Sequence, residues 1–310
     1  MQNISRSFPR AIAGAIVALA LGVGLVMSST ALSAKAKKYG YVSSALRLPL
    51  TNTEARDYGR DFNRDGERDN RLGQVFSTLS SQGMDFPSAL NAAVADGDLL
   101  MLHSVKTPSF SKTTDASWQV LYADPTPTPD FSGSGSFTID DSAPVSSRLP
   151  AKIKNNKVKT GAGFITVRLD LGAGLLTLNL DAAKVFVTCA KPSCSDGRIN
   201  GVLTTDEVDS ILIPEFAAHF SALVARDCPG PTPSSCAADS EGKTAQGIFD
   251  ENDDLVVSVD EVRENSLIQA LLAPDLDLKK ANGNPGQDGE NESLSFGIGF
   301  EAVQAKLLRP

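Results

Sequence analysis

Apolar and polar residues alternate along the middle of the chain. Between residues 163 and 171, and again between 175 and 181, every second residue is Ile, Val or Leu. Residues 172–174, which include two glycines, connect the two stretches. A period of two around a short glycine connection is typical of an antiparallel hairpin with one buried face. Similar patterns predict further strands of an antiparallel β-meander at 99–105, 117–123, 131–139, 151–160 and 182–189.

Apolar positions follow a helical period in two other parts of the chain. Residues 71–83 and 86–97 predict two short helices, each closed by a glycine. Near the C-terminus, residues 294–307 alternate again with a change of parity near Glu301, which a β-bulge would reconcile into one bent strand. Between these parts, helical spacing predicts helices over 204–213, 214–227 and 259–273.

These patterns predict an α+β fold. The core is an antiparallel β-meander, either a sandwich or a partly closed barrel. Short helices occupy the N-terminal part, and a helical insertion precedes a final C-terminal strand that packs on the core. The corresponding segments are 37–97, 98–203, 204–275 and 276–310.

The first 36 residues have the layout of a secretory signal peptide. Arg6 and Arg10 precede an apolar run over 11–27, and small and polar residues follow it. The run is near the lower limit of spanning length, so a retained single-span anchor is the alternative. No other segment is expected to span a membrane. We therefore expect a protein that is secreted, periplasmic or held at the cell surface.

The net charge of the chain indicates which classes of molecule it can bind. Removal of residues 1–36 takes away three basic residues and no acidic one, so the formal net charge moves from −8 to −11. An acidic exported chain has no electrostatic reason to bind nucleic acid or an anionic membrane surface. The same charge favours cations as partners.

Four cysteines lie close together in the sequence. An even number in an exported chain predicts disulfides, with three possible connectivities. Local pairing would staple two proline-containing loops. A zinc site is the alternative, but there is no C-x-x-C motif and neither histidine lies at ligand spacing. The cysteines are Cys189, Cys194, Cys228 and Cys236.

The segment FDENDDLVVSVDEV, residues 249–262, concentrates oxygen-bearing side chains ahead of a helical pattern. It resembles the EF-hand family, whose twelve-residue loop binds calcium through positions 1, 3, 5, 7, 9 and 12, the seventh through its carbonyl. Leu255 replaces the turn glycine at position 6, where a left-handed backbone costs about 1–2 kcal/mol. The resemblance implies a calcium cofactor of modest affinity, with ligands Asp250, Asn252, Asp254, Val256, Ser258 and Glu261.

A weaker echo of this segment, DGRINGVLTTDEV, occupies residues 196–208. Gly201 supplies the turn glycine, and Leu203 matches Val257, the residue that normally pairs such loops. Arg198 stands at a ligand position and a strand-like segment precedes the loop, so this copy looks degenerate. The resemblance would place its ligands at Asp196, Asn200, Val202, Thr204 and Glu207.

Helix capping is the metal-free alternative for both segments. Thr204 with Glu207, and Ser258 with Glu261, fit the capping-box pattern, in which a hydroxyl and a carboxylate satisfy free amides at a helix start. Capping does not explain the acids at the start of the 250–261 loop.

A third acidic loop, DFNRDGERD, covers residues 61–69. It resembles the DxNxDGxxD loops of dockerin and thrombospondin type 3 repeats, with Gly66 at the turn. A solvated acidic turn before a helix is the alternative, with Asp69 or Asn70 as the helix cap. Residues 282–293 are a weaker match and are expected to form a plain loop. The resemblance implies ligands among Asp61, Asn63, Asp65, Glu67 and Asp69.

No familiar catalytic motif is present. The sequence lacks G-x-S-x-G, H-E-x-x-H and a phosphate loop, and His103 and His219 lie in apolar segments typical of packed histidines. The main hypothesis is a secreted, calcium-binding structural or cell-surface interaction protein with an extracellular partner. One alternative is a small-ligand or lipid-binding barrel with a pocket lined by Val167, Leu176 and Leu178. Another is a hydrolase with an unrecognised carboxylate site.

Overall fold

The antiparallel strands close into an eight-stranded barrel. A computed structural model describes residues 35–172, 174–278 and 289–310, so the predicted signal segment up to residue 34 lies outside the described residues. Each barrel strand is antiparallel to its neighbours, and the last pairs with the first. Around the barrel they are β1 (Lys37–Arg47), β2 (Met101–Thr107), β3 (Lys112–Tyr122), β5 (Leu149–Lys154), β6 (Lys157–Thr160), β8 (Leu175–Cys189), β9 (Ser193–Thr204) and β10 (Ser293–Leu308).

Two further strands extend this sheet. The short β4 (Ser136–Thr138) runs parallel to the end of β10. β7 (Gly163–Asp170) pairs with the first half of β8, so that Val167 lies opposite Leu178. The hairpin predicted from the alternating pattern is therefore confirmed.

The seam of the barrel joins β1 to β10. Gly40 lies opposite Ala305 at one end of this ladder, and Arg47 lies opposite Gly299 at the other. The two predicted core architectures, sandwich and partly closed barrel, thus resolve into a closed barrel. The predicted bulge in the terminal strand is confirmed, since the register of β10 against β9 shifts between Phe300 and Ala302.

Large side chains fill the barrel interior. The buried ring of His103 stacks on Phe300 with centroids 4.6 Å apart and lies 5.2 Å from Trp118. Trp118 Nε1 donates to Nδ1 of His103 at 3.3 Å, so Nε2 carries the ring proton and donates to Ser43 Oγ at 2.9 Å. Because both ring nitrogens are paired inside the core, His103 is a packing residue.

Helices cover the barrel and connect its strands. One continuous helix runs from α4 (Thr205–Glu207) through a π-helical stretch, Val208–Leu212, into α5 (Ile213–Asp227). A 3₁₀ turn over Pro233–Ser235 follows. The helices are α1 (Asn52–Tyr58), α2 (Arg71–Ser81), α3 (Phe86–Asp96), α4 (Thr205–Glu207), α5 (Ile213–Asp227), α6 (Glu241–Phe249), α7 (Val259–Glu264) and α8 (Ser266–Leu271).

The helix predicted over 259–273 is two helices. Asn265 lies between them with an extended backbone, and its side-chain oxygen accepts from the amides of Leu267 and Ile268. Its amide group donates to the Ile248 carbonyl at 2.8 Å. Asn265 therefore starts a new helix instead of continuing the first, which the apolar period alone does not indicate.

The continuous helix Thr205–Asp227 is long and apolar enough to cross a membrane by length and composition. Half of its most apolar window is buried inside the fold. The expectation that no segment after the signal would meet this criterion was therefore wrong, although the helix contributes its buried side to the main hydrophobic core and packs on α6 and α7.

Two disulfides join cysteines that are neighbours in the sequence. Cys189 pairs with Cys194 across the turn between β8 and β9, and Cys228 pairs with Cys236 after α5. Of the three connectivities that the sequence left open, the structure has the local one.

Candidate functional site

The loop that follows α6 directs its acidic side chains at its own backbone. Asp250 accepts hydrogen bonds from the amides of Asp254 at 3.1 Å and Leu255 at 3.0 Å. Asn252 Oδ1 accepts from the Asp254 amide at 2.9 Å, and Asp254 Oδ1 accepts from the Val256 amide at 2.8 Å. The side chains at positions 1, 3 and 5 thus hold one tight turn.

The loop between α1 and α2 repeats this arrangement. Asp61 accepts from the Gly66 amide at 3.2 Å. Asn63 Oδ1 accepts from the Asp65 amide at 3.1 Å, and Asp65 Oδ1 accepts from the Glu67 amide at 2.8 Å. Positions 1, 3 and 5 therefore receive amides from positions 6, 5 and 7 in both loops.

The two loops also share their left-handed residues. Arg64 and Gly66, at positions 4 and 6, have φ values of 67° and 96°. Asp253 and Leu255, at the same positions of the other loop, have φ values of 61° and 67°. Leu255 thus adopts the conformation for which an EF-hand loop normally requires glycine.

A later carboxylate closes each loop. Glu261 Oε1 accepts from the Glu251 amide at 3.1 Å, while its Oε2 accepts from the Ser258 amide at 2.8 Å. Asp69 Oδ2 accepts from the Phe62 amide at 2.8 Å. In both cases the closing group contacts position 2, so the ends of each loop are held together.

The capping alternative is realised at one of the two helix starts. Ser258 and Glu261 form a complete capping box at α7. Thr204 accepts from the amide of Glu207 at α4. The side chain of Glu207, however, hydrogen-bonds to Asn179 on β8 and not to the helix start. Burial raises the pKa of Glu207, and the hydrogen bond to Asn179 partly opposes this.

The oxygen-rich loops match calcium in chemistry, but their carboxylates are engaged by backbone amides. Among residues 35–172, 174–278 and 289–310, no group of three or more His, Cys, Asp or Glu side chains is arranged to hold a metal ion. Calcium sites draw on carboxylate, amide, hydroxyl and carbonyl oxygens together, and both loops offer carboxylate, amide and carbonyl oxygens. Binding would require the carboxylates to turn from the amides toward a shared ion.

The echo segment is a strand, so its proposed ligands cannot form an EF-hand loop. Residues 193–204 form β9, hydrogen-bonded to β8 and β10 on its two sides. Asp196, Asn200 and Thr204 lie four residues apart, which is about 13 Å per step along a strand. Asn200 is buried with its amide donating to the Tyr58 carbonyl at 3.1 Å, and Val202 is buried opposite Asp181.

Val257 also has a different partner from the one expected. Its amide donates to Ser221 Oγ at 2.9 Å, and the same hydroxyl donates to its carbonyl at 2.8 Å. Leu203 instead lies opposite Leu294 in the barrel. A serine of α5 therefore occupies the place of a partner loop, and no motif in the sequence indicates this contact.

Asn70 ties the first loop to the barrel. Its buried side chain accepts from the amides of Gly73 at 3.0 Å and Gly297 at 2.8 Å. It donates to the carbonyls of Ala55 at 2.8 Å and Gly297 at 2.9 Å. Of the two predicted helix caps, Asn70 is the one that caps α2, and the same side chain also completes hydrogen bonds of β10.

Arg71 connects the 61–69 loop to the helices that follow the 250–261 loop. The Arg71 amide donates to Ser295 Oγ at 2.7 Å. Its guanidinium donates to the carbonyls of Ala270 at 2.6 Å and Leu271 at 3.0 Å. Arg71 therefore caps the end of α8, and both acidic loops are linked to one region of β10.

The first loop carries incompletely compensated negative charge. Burial raises the pKa of Asp69 to about 6, although the hydrogen bond from the Phe62 amide opposes this. The nearby carboxylates of Asp275, Asp65 and Asp61 raise it further. A cation at this loop would relieve the repulsion.

The residues expected to line a ligand pocket are packed instead. Val167, Leu176 and Leu178 are buried in the main hydrophobic core. A groove of about 820 Å³ lies on the outer face of the barrel and contains Asp140 and Asp141. Hydrogen bonds from Ser142 lower the pKa of Asp140, which makes this carboxyl a poor general acid.

No protein-family model, curated protein or solved structure matches the chain.

Proposed function

We propose that this is an exported β-barrel protein whose loops 61–69 and 250–261 bind calcium and thereby fix helices against the barrel. The observation that carries the proposal is the shared loop design. Two segments about 190 residues apart in sequence have the same left-handed positions and the same amide contacts at positions 1, 3 and 5. Its role would be structural or adhesive, at a cell surface or in the extracellular space.

Export is supported by two features. Residues 1–36 have the composition of a secretory signal. The two disulfides suit an oxidising compartment, because cytosolic thiols are normally kept reduced.

Calcium would act by joining parts that the fold already places together. Asp250, Asn252, Asp254 and Glu261 would hold it in the second loop, with the Val256 carbonyl. In the first loop, the proposed ligands are Asp61, Asn63, Asp65, the Glu67 carbonyl and Asp69. Neutralising these acids would favour the compact loops from which Asn70, Arg71 and α7 extend.

Thermal unfolding of residues 37–310 with calcium, magnesium or chelator tests the proposal. A ligand that binds only the folded state stabilises it by about 2.7 kcal/mol at a hundredfold excess over Kd. We expect calcium to raise Tm more than magnesium does, and the double variant Asp250→Asn/Glu261→Gln to lose much of that gain.

The matched control is Glu251→Gln/Asp253→Asn, which removes the same charge from positions that are not ligands. It should keep the response to calcium. A Tm that is the same in calcium and in chelator would reduce both loops to capped turns and leave the barrel without this function.

A further inference from the structure

A groove on the outside of the barrel has the features of a binding site separate from the two acidic loops. It encloses about 820 Å³. Its floor is the outward face of β1, β2 and β3, where Gly40, Ser104 and Gln119 lie in register across the three strands. Residues 133–148 and the end of β10 complete the lining.

The groove is basic although the chain is acidic. Lys38, Arg148, Lys306 and Arg309 line it, against two acidic residues. One of these acids, Asp140, is already paired with a guanidinium at 3.2 Å. In the part of the chain that the structure describes, none of the four basic side chains forms an ion pair.

Neutral oxygens hold Arg148 in place. Its guanidinium donates to Gln119 Oε1 at 2.6 Å, Ser104 Oγ at 3.3 Å and Ser117 Oγ at 3.4 Å. Gln119 is itself fixed, because its amide donates to the Ser146 carbonyl at 3.0 Å. A cation positioned in this way keeps its full charge and needs little reordering to meet an anion.

Apolar groups lie in the same groove. Leu121, Ile139 and Leu307 pack against the outer hydrophobic cluster of the barrel and also line the groove. Val145 is 69% exposed, which is unusual for a large apolar side chain. The lining therefore offers both positive charge and apolar surface.

We propose that this groove binds a small amphiphilic organic anion. The acidic group, a carboxylate, sulfate or phosphate, contacts Arg148 with Lys38 or Lys306 nearby. The apolar part packs on Leu121, Leu307 and Val145. Guanidinium groups pair with such oxyanions through two parallel hydrogen bonds, and the volume suits a ligand of ordinary metabolite size.

Fluorescence titration of the exported full chain with 8-anilinonaphthalene-1-sulfonate tests the site. We expect saturable binding in the micromolar range that weakens as salt is raised. N-phenyl-1-naphthylamine has the same rings without the sulfonate and should bind at least tenfold more weakly. Displacement by decanoate and by decyl phosphate distinguishes a carboxylate site from a phosphate site. Chelator should change none of these results, since the calcium loops contribute no residue to the groove.

Variants locate the contact. Arg148→Gln should weaken probe binding at least tenfold, and Lys306→Gln should weaken it severalfold. The control is Lys152→Gln, which removes the same charge from an exposed position on β5 outside the groove and should leave Kd within twofold. The proposal is overturned if the probe does not bind, if the uncharged probe binds equally well, or if Arg148→Gln and Lys306→Gln behave like the control.

Discussion

The amide of Leu255 donates a 3.0 Å hydrogen bond to Oδ2 of Asp250 while the Leu255 backbone is left-handed, with φ of 67°. A Cβ atom makes this conformation unfavourable, yet the loop requires it to place that amide. The side chain in return packs against the core. Leu255 therefore combines a backbone cost with a packing gain at one position.

Replacement of Leu255 separates these two effects. Leu255→Gly and Leu255→Ala lose nearly the same packing, but only glycine removes the left-handed cost. We expect the glycine variant to be more stable than the alanine variant by about 1 kcal/mol, the reverse of the usual order. Urea unfolding of both proteins measures this difference. Equal stabilities, or a more stable alanine variant, would contradict the conformation assigned to position 6.

Gly66 holds the same position in the first loop. A Cβ atom added there meets nothing within 4 Å, so the cost of Gly66→Ala is a backbone cost of about 1–2 kcal/mol. Gly247 in α6 is the control, because a Cβ atom there is equally unobstructed but the backbone is helical. Gly247→Ala should stabilise the protein by about 0.5–1 kcal/mol. Thermal or urea unfolding should show changes of opposite sign.

Asn70 should be among the most sensitive polar residues. Asn70→Ala removes four hydrogen bonds and leaves the buried amides of Gly73 and Gly297 without acceptors, at a cost of about 3 kcal/mol or more. Ser240→Ala, which removes a partly exposed cap at α6, should cost about 1 kcal/mol. Comparable losses for both variants in urea unfolding would show that Asn70 acts as a helix cap only.

The buried histidine predicts acid sensitivity. Burial lowers the pKa of His103 to about 3, so the folded state favours the neutral ring. Its contribution is complete above the unfolded pKa near 6.5 and is lost as pH falls toward 3, by about 1.4 kcal/mol per pH unit. His219 is shifted in the same direction, to about 4, again because of burial.

Urea unfolding at pH 7, 6 and 5 measures this slope. His103→Gln removes one titrating group, so its stability should fall less steeply between pH 6 and 5 than that of the parent protein. An unchanged slope would mean that His103 is protonated in the folded state or does not titrate on unfolding.

Local sequence patterns predicted individual strands better than they predicted how the strands close into a barrel. Alternation identified β7, β8 and the bent β10, because a side chain in a strand has only two faces to choose from. β1 was not predicted as a strand, so nothing in the alternation indicated that it closes the barrel by pairing with β10. The split at Asn265 was missed because an apolar period does not report a side chain that bonds to its own backbone.

The acidic segments show what a motif can and cannot predict. Residues 61–69 and 250–261 fold as compact loops, since their Asp and Asn side chains can satisfy nearby amides locally. Residues 196–204 contain similar residue types but form β9, because their backbone amides pair with the neighbouring strands on both sides. The basic groove could not be anticipated, as Lys38, Arg148 and Lys306 belong to three distant segments that only the barrel brings together.

Pairing of β1 with β10 places a constraint on how this protein can be made. The barrel cannot close until residues 293–308 have been synthesised. Until then, β1 and β9 each have an edge with unpaired backbone groups. Such edges invite pairing with other chains. Truncation within the last sixteen-residue strand should therefore yield aggregates more readily than a smaller folded product.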